Sequence, residues 1–169
     1  SHSARHLGLL RNGPIWLGDS RNAGHETPTN LIGNGLHALI SHRDQLERLA
    51  AEPALADSAV EELLRFESPL QLNNRLTTES MTIGKKTIPP GTFLTLGVGA
   101  ANRDPYQFER AEHLDLGRSP HHHLAFGPRR HASSRLTFPR LPGRLAFAPV
   151  ARRFPSIHLL RPPAPAPPT

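Results

Sequence analysis

At 169 residues the chain is long enough for one domain with a real core, yet 37% hydrophobic and 5% aromatic residues beside 18 prolines lean away from dense packing. It contains no cysteine, which excludes a disulfide framework, a cysteine-ligated zinc and any thiolate metal ligand. The net charge of +6 hides an asymmetry: nothing after Asp115 is acidic while nine arginines follow it, from Arg118 to Arg161, and residues 1–115 carry 11 positive and 14 negative side chains.

Taken alone, the basic region has the charge of a nucleic-acid or phosphate footprint. The near absence of Lys, the few aromatics for base stacking and the abundant Pro argue against it, so nucleic acid is not the expected partner. No apolar run approaches the roughly 18 residues that span a bilayer, and the start shows no signal-like apolar stretch. A soluble, cytoplasmic chain without membrane association is therefore expected.

Residues 1–22 mix Gly, Pro, Arg and Ser without periodicity and read as an irregular segment. Thr27-Pro28 pairs an N-cap residue with Pro at the first helical position, and Ile32, Leu36, Leu39 and Ile40 follow at i, i+4, i+7 and i+8. That helix should end near Ser41. A second fits Arg43 to Glu52, with Leu46, Leu49 and Ala50 on one side and Pro53 stopping it. The third should open at Ser58, where Ser58 and Glu61 have capping-box spacing, bury Val60, Leu63 and Leu64, and end at Ser68-Pro69.

From Gln71 to Val98 short β-type runs alternate with turn residues, Gly84-Lys85-Lys86 and Pro89-Pro90-Gly91, which predicts a small antiparallel sheet. Asn102 to Arg118 reads as turn-rich chain with one short helical turn. Arg140 to Phe154 predicts a helix interrupted by Pro142 and Pro149, and residues 160–169 a Pro-rich disordered tail. The fold class is mainly α with a small antiparallel β-sheet, an α+β arrangement.

Several motifs punctuate these elements. Each also has a plain explanation. In Ala23-Gly24-His25-Glu26-Thr27 an acid and an alcohol sit side by side, as a helix start also places them. Glu62-Leu63-Leu64-Arg65 puts acid and base on one helical face, a spacing common on solvated helices. Arg75 follows the third helix, and Asn102-Arg103-Asp104-Pro105 precedes Phe108, Leu114-Asp115 and Arg118. His121-His122-His123 leads into Leu124-Ala125-Phe126-Gly127, then His131 and Ser133. Adjacent histidines on irregular chain rarely converge on one ion, so no dedicated metal site is expected there.

In this order and at these distances the motifs resemble the C-terminal portion of bacterial members of the cytochrome P-450 family, the haem-thiolate monooxygenases. The resemblance covers residues 23–127 well and Arg140 to Leu159 less well, and implies a partial domain of that fold over residues 23–159. It implies haem as cofactor, a small organic substrate, a ferredoxin-type electron donor, and insertion of one oxygen atom from O2. By the same resemblance Glu26 and Thr27 would relay protons, while Arg75, His123, Phe126 and His131 would contact haem, with Arg75 and the two histidines at its propionates. Glu62 and Arg65 would lock the scaffold, with His113 as their third polar partner.

The family's loop runs roughly Phe-x-x-Gly-x-x-x-Cys-x-Gly, its cysteine sulfur binding iron. Here those positions are Phe126, Arg129, Ser133 and Arg135, and only the first is kept. A serine hydroxyl is a poor soft ligand, so the iron position at Ser133 is not expected to ligate. Residues 128–139 lose the pattern while Gly143-Arg144-Leu145-Ala146-Phe147 recovers it, as compensating frame shifts would produce. The reading is therefore a truncated or degenerate, inactive monooxygenase. Two alternatives stay open: a non-enzymatic remnant whose basic tail binds nucleic acid, and a histidine-ligated haem binder.

Overall fold

The computed structural model describes residues 28–119, 122–125 and 137–160. Expectations for residues 1–22, for Glu26 and Thr27, for Phe126, His131 and Ser133, and for the tail from Arg161 lie outside them. Helix α1 occupies residues 28–41. It buries Leu31, Gly35, Ala38 and Leu39, while Ile32, Leu36 and Ile40 are only half-buried. The buried stripe thus lies one residue, about 100° of helix, from the one that the larger apolar residues suggest. Gly35 is the reason. A Cβ there would stand 2.5 Å from Cζ of Phe147, so only glycine admits that ring.

Helix α2 spans Arg43–Ala51, with Leu46 and Leu49 buried, and Pro53 opens a 3-10 turn over Pro53–Leu55. That turn runs directly into α3, Ala56–Phe66. Ser58 therefore lies inside α3, not at its start: Leu55 is the N-cap, without a side-chain cap, and Ser58 Oγ donates to the Leu116 carbonyl at 2.6 Å. Glu61 is released from the expected capping box for other contacts.

Strand β1, Leu72–Leu76, pairs antiparallel with β4, Phe93–Gly97, in the register Leu72↔Gly97 to Leu76↔Phe93. Between them β2, Met81–Ile83, and β3, Lys86–Ile88, make a second antiparallel pair. The expected small sheet is thus two separate ladders. Gly84, at φ 59°, supplies the left-handed first residue of the β2–β3 turn. Gly91, at φ 77° after Pro90, turns the chain into β4. A short helix α4, Val98–Ala101, follows.

Helix α5 runs unbroken over Thr137–Arg153, through both Pro142 and Pro149, where interruptions were expected. Proline forfeits one helical hydrogen bond, but Pro149 faces solvent while Phe147, Ala148 and Ala151 are buried. Packing of that face on α2 and α3 holds the helix together. The core, with Leu31, Leu39, Leu46, Leu49, Val60, Leu63, Leu64, Leu116 and Phe147, is built by the helices and one turn of the 102–118 segment. The ladders stay outside it. Within this apolar core α3 also buries two full charges.

Candidate functional site

Three-residue spacing places Glu62 and Arg65 on one face of α3, and that face is the inward one: both side chains are 0% exposed. Arg65 has five N–H donors, and all find acceptors. Nε and Nη2 make a fork on the Glu62 carboxylate at 2.8 Å each. The other three bonds go to the carbonyls of Asn102 (2.9 Å), Ala111 (2.9 Å) and His113 (3.2 Å). The guanidinium also stands 5.2 Å from the Phe108 ring centroid. A buried charge of this kind is tolerated because it is paired and fully hydrogen-bonded.

Glu62 has a second cationic partner, Arg118, whose Nε lies 3.1 and 3.0 Å from its two oxygens. The Asp115 amide donates to it as well, at 3.1 Å. This corrects the expectation for His113. Its imidazole is exposed, and only its backbone carbonyl joins the knot, accepting from both Arg65 and Arg118. In a turn-rich segment the backbone, not the side chain, points inward here. Arg118 was visible as part of a motif, but nothing periodic marked it as the partner of Glu62.

The knot fastens two further pieces. Asn102, 0% exposed, gives its carbonyl to Arg65, donates Nδ2 to Ser68 Oγ at 2.7 Å, and accepts the Leu124 amide on Oδ1 at 2.7 Å. It thereby ties residues 122–125 to the end of α3. One residue before the knot, Glu61 accepts from His123 Nε2 at 3.1 Å and from Arg140 of α5 through Nε and Nη2. Burial pushes the Glu61 carboxyl up, but these hydrogen bonds and the neighbouring charges outweigh it and hold it down at about 2. Asp57 on α3 meets Arg144 of α5 at 2.7 Å.

Of the expected haem-contacting residues, Arg75 sits exposed on β1, bonded to the Asn73 side chain and the Asn74 carbonyl. His123 is turned onto Glu61, its side chain 4% exposed. Glu61, Arg118 and Arg140 are the charged contributors that the motif reading did not assign to these contacts. They share one signal, the charge asymmetry: acids of α3 meet arginines of the acid-free region. Chemically the cluster is a scaffold, since its charges are committed to one another and to backbone carbonyls.

The cytochrome P450 family model matches residues 17–121. The polyketide biosynthesis cytochrome P450 PksS of Bacillus subtilis (strain 168) is 41% identical over 138 residues, 81% of this chain and 34% of that relative. The biotin biosynthesis cytochrome P450 of the same organism is 42% identical over 137 residues, 81% of this chain and 35% of that relative. The fold is similar to the crystal structure of P450BioI in complex with hexadec-9Z-enoic acid ligated acyl carrier protein, with a TM-score of 0.78, 41% identity, 82% of this chain and 36% of that one. The ligand-free P450 monooxygenase TamI gives a TM-score of 0.79 at 39% identity, 83% of this chain and 35% of that one. The chain spans about a third of the length of these relatives.

Proposed function

The chain belongs to the cytochrome P450 family, and from that premise we propose that it keeps the scaffold of a haem-dependent monooxygenase without the thiolate chemistry that such an enzyme uses. The carrying observation is the donor set. A haem-thiolate enzyme needs a cysteine sulfur on iron, and the 169 residues contain none. The residues present therefore do not fit a thiolate-held haem.

For the intact fold the proposed reaction is insertion of one oxygen atom from O2 into a small organic substrate, with electrons from a ferredoxin-type donor. There Glu26 and Thr27 would serve as proton relay and Arg75, His123, Phe126 and His131 as haem contacts. The nucleic-acid alternative loses ground because Arg118, Arg140 and Arg144 are paired with Glu62, Glu61 and Asp57.

The test is the full chain, supplied with haem, reduced and exposed to carbon monoxide. No thiolate-type Soret band should form, and its appearance would overturn the reading. A Soret absorbance of histidine type that disappears in His131→Ala would favour a histidine-ligated haem binder instead. DNA binding that falls steeply with salt would favour the basic-tail alternative.

A further inference from the structure

Glu61 borders the buried knot without joining it, and its two partners come from opposite sides of one stretch of sequence. His123 belongs to residues 122–125 and Arg140 to the first turn of α5, so together they flank residues 126–136. The two contacts differ in kind. Arg140 approaches with Nε on one carboxylate oxygen and Nη2 on the other, the latter at 2.8 Å. A fork of this sort fixes the plane and direction of the guanidinium as well as its distance. His123 makes a single bond from Nε2 at 3.1 Å, while its Nδ1 lies 3.3 Å from the Ala125 amide. The Nε2–H tautomer therefore satisfies both ring nitrogens, donating to Glu61 and accepting from Ala125.

We propose that Glu61 is the positioning residue of this region, a single carboxylate that ties both flanks of residues 126–136 to α3 and sets them in register with each other. The side chain is 19% exposed, so solvent competes little for it. Its carboxyl, held down at about 2, remains ionised through the neutral and mildly acidic range. The bond from the Leu124 amide to Asn102 is a separate fastener on the first flank only. The inference requires no bound group and stands or falls independently of the haem reading.

Amide hydrogen exchange of the full chain tests it residue by residue. In Glu61→Gln, which keeps the shape and removes the charge, the amides of Ala125 and Leu141 should both exchange about tenfold faster or more. Those of Leu63 and Leu64 within α3 should keep their rates. His123→Gln should speed exchange only in residues 122–125, and Arg140→Gln only in the first turns of α5. This pattern, joint release from Glu61 and separate release from each partner, is what a shared anchor produces. Unchanged rates in Glu61→Gln, release of one flank alone, or loosening that extends to Leu63 and Leu64 would overturn the proposal. Should Glu61→Gln fail to fold, the two partner variants decide it: separate release supports the shared anchor, and release of both flanks by either one overturns it.

Discussion

Arg65 uses all five donors within the protein and Glu62 is covered by two guanidinium groups, so neither can lose its partner cheaply. Arg65→Ala should lower unfolding free energy by about 3–5 kcal/mol, read as a fall in the urea midpoint, because it strands buried acceptors. Arg65→Lys should rescue little, since an ammonium cannot reproduce the fork. Glu47→Ala, which removes an exposed pair with Arg43, should change stability by less than about 0.5 kcal/mol in the same assay. Glu61 gives the pH dependence. Its folded-state value of about 2 lies below the ordinary 4.5, so its contribution is fully present above about 4.5 and is lost as pH falls through 2. Unfolding measured near neutrality and at roughly pH 3 should show a larger acid loss in the parent chain than in Glu61→Gln. The spacing of Glu62 and Arg65 was legible in the sequence. The choice of Arg118 over His113 was not, because side-chain direction in a turn-rich segment follows no period.

Helices α1, α2 and α3 were recognisable from apolar spacing and α5 only from the recovered family pattern around residues 143–147, yet their facing and their ends were decided by neighbours. In α1 the larger apolar residues pointed to Ile32, Leu36, Leu39 and Ile40, while the buried positions are Leu31, Gly35, Ala38 and Leu39, with Gly35 against the Phe147 ring. Two glycines on that helix should therefore respond oppositely. Gly35→Ala drives a methyl into a buried ring and should destabilise by about 1–3 kcal/mol. Gly33→Ala meets nothing within 4 Å and should stabilise by about 0.5–1 kcal/mol through helix propensity alone. Thermal melting of the pair checks both signs. Helix α5 continues through Pro149 because tertiary burial outweighs local preference, so Pro149→Ala on its exposed face should raise the melting temperature, with a gain of about 1–3 kcal/mol. In α3 a preceding 3-10 turn displaced the expected cap at Ser58, which capping-box spacing alone could not reveal.

Across the whole molecule the charge asymmetry resolves into contacts: Asp57, Glu61 and Glu62 on α3 receive Arg144, Arg140 and Arg118 from the acid-free region. What reads in one dimension as a basic tail is in part the counter-charge of a single helix. The apolar balance is less complete, since Leu72, Leu76 and Phe93 share one face of the β1–β4 ladder and are each at least 60% exposed. The 169-residue chain should therefore bind a hydrophobic fluorescent dye in its folded state, and Leu72→Glu with Phe93→Glu should reduce that binding without shifting the melting temperature. No helix among the described residues is long and apolar enough to cross a membrane. By itself the sequence determined the family, through five motifs in order, and the absence of a thiolate, through composition, because both are properties of the chain read in one dimension. Only the tertiary structure decided which stripe of α1 is buried, that Arg118 completes the knot, and that Glu61 gathers His123 and Arg140. Those contacts join residues more than fifty positions apart, and packing geometry alone determines which distant side chains reach the same carboxylate.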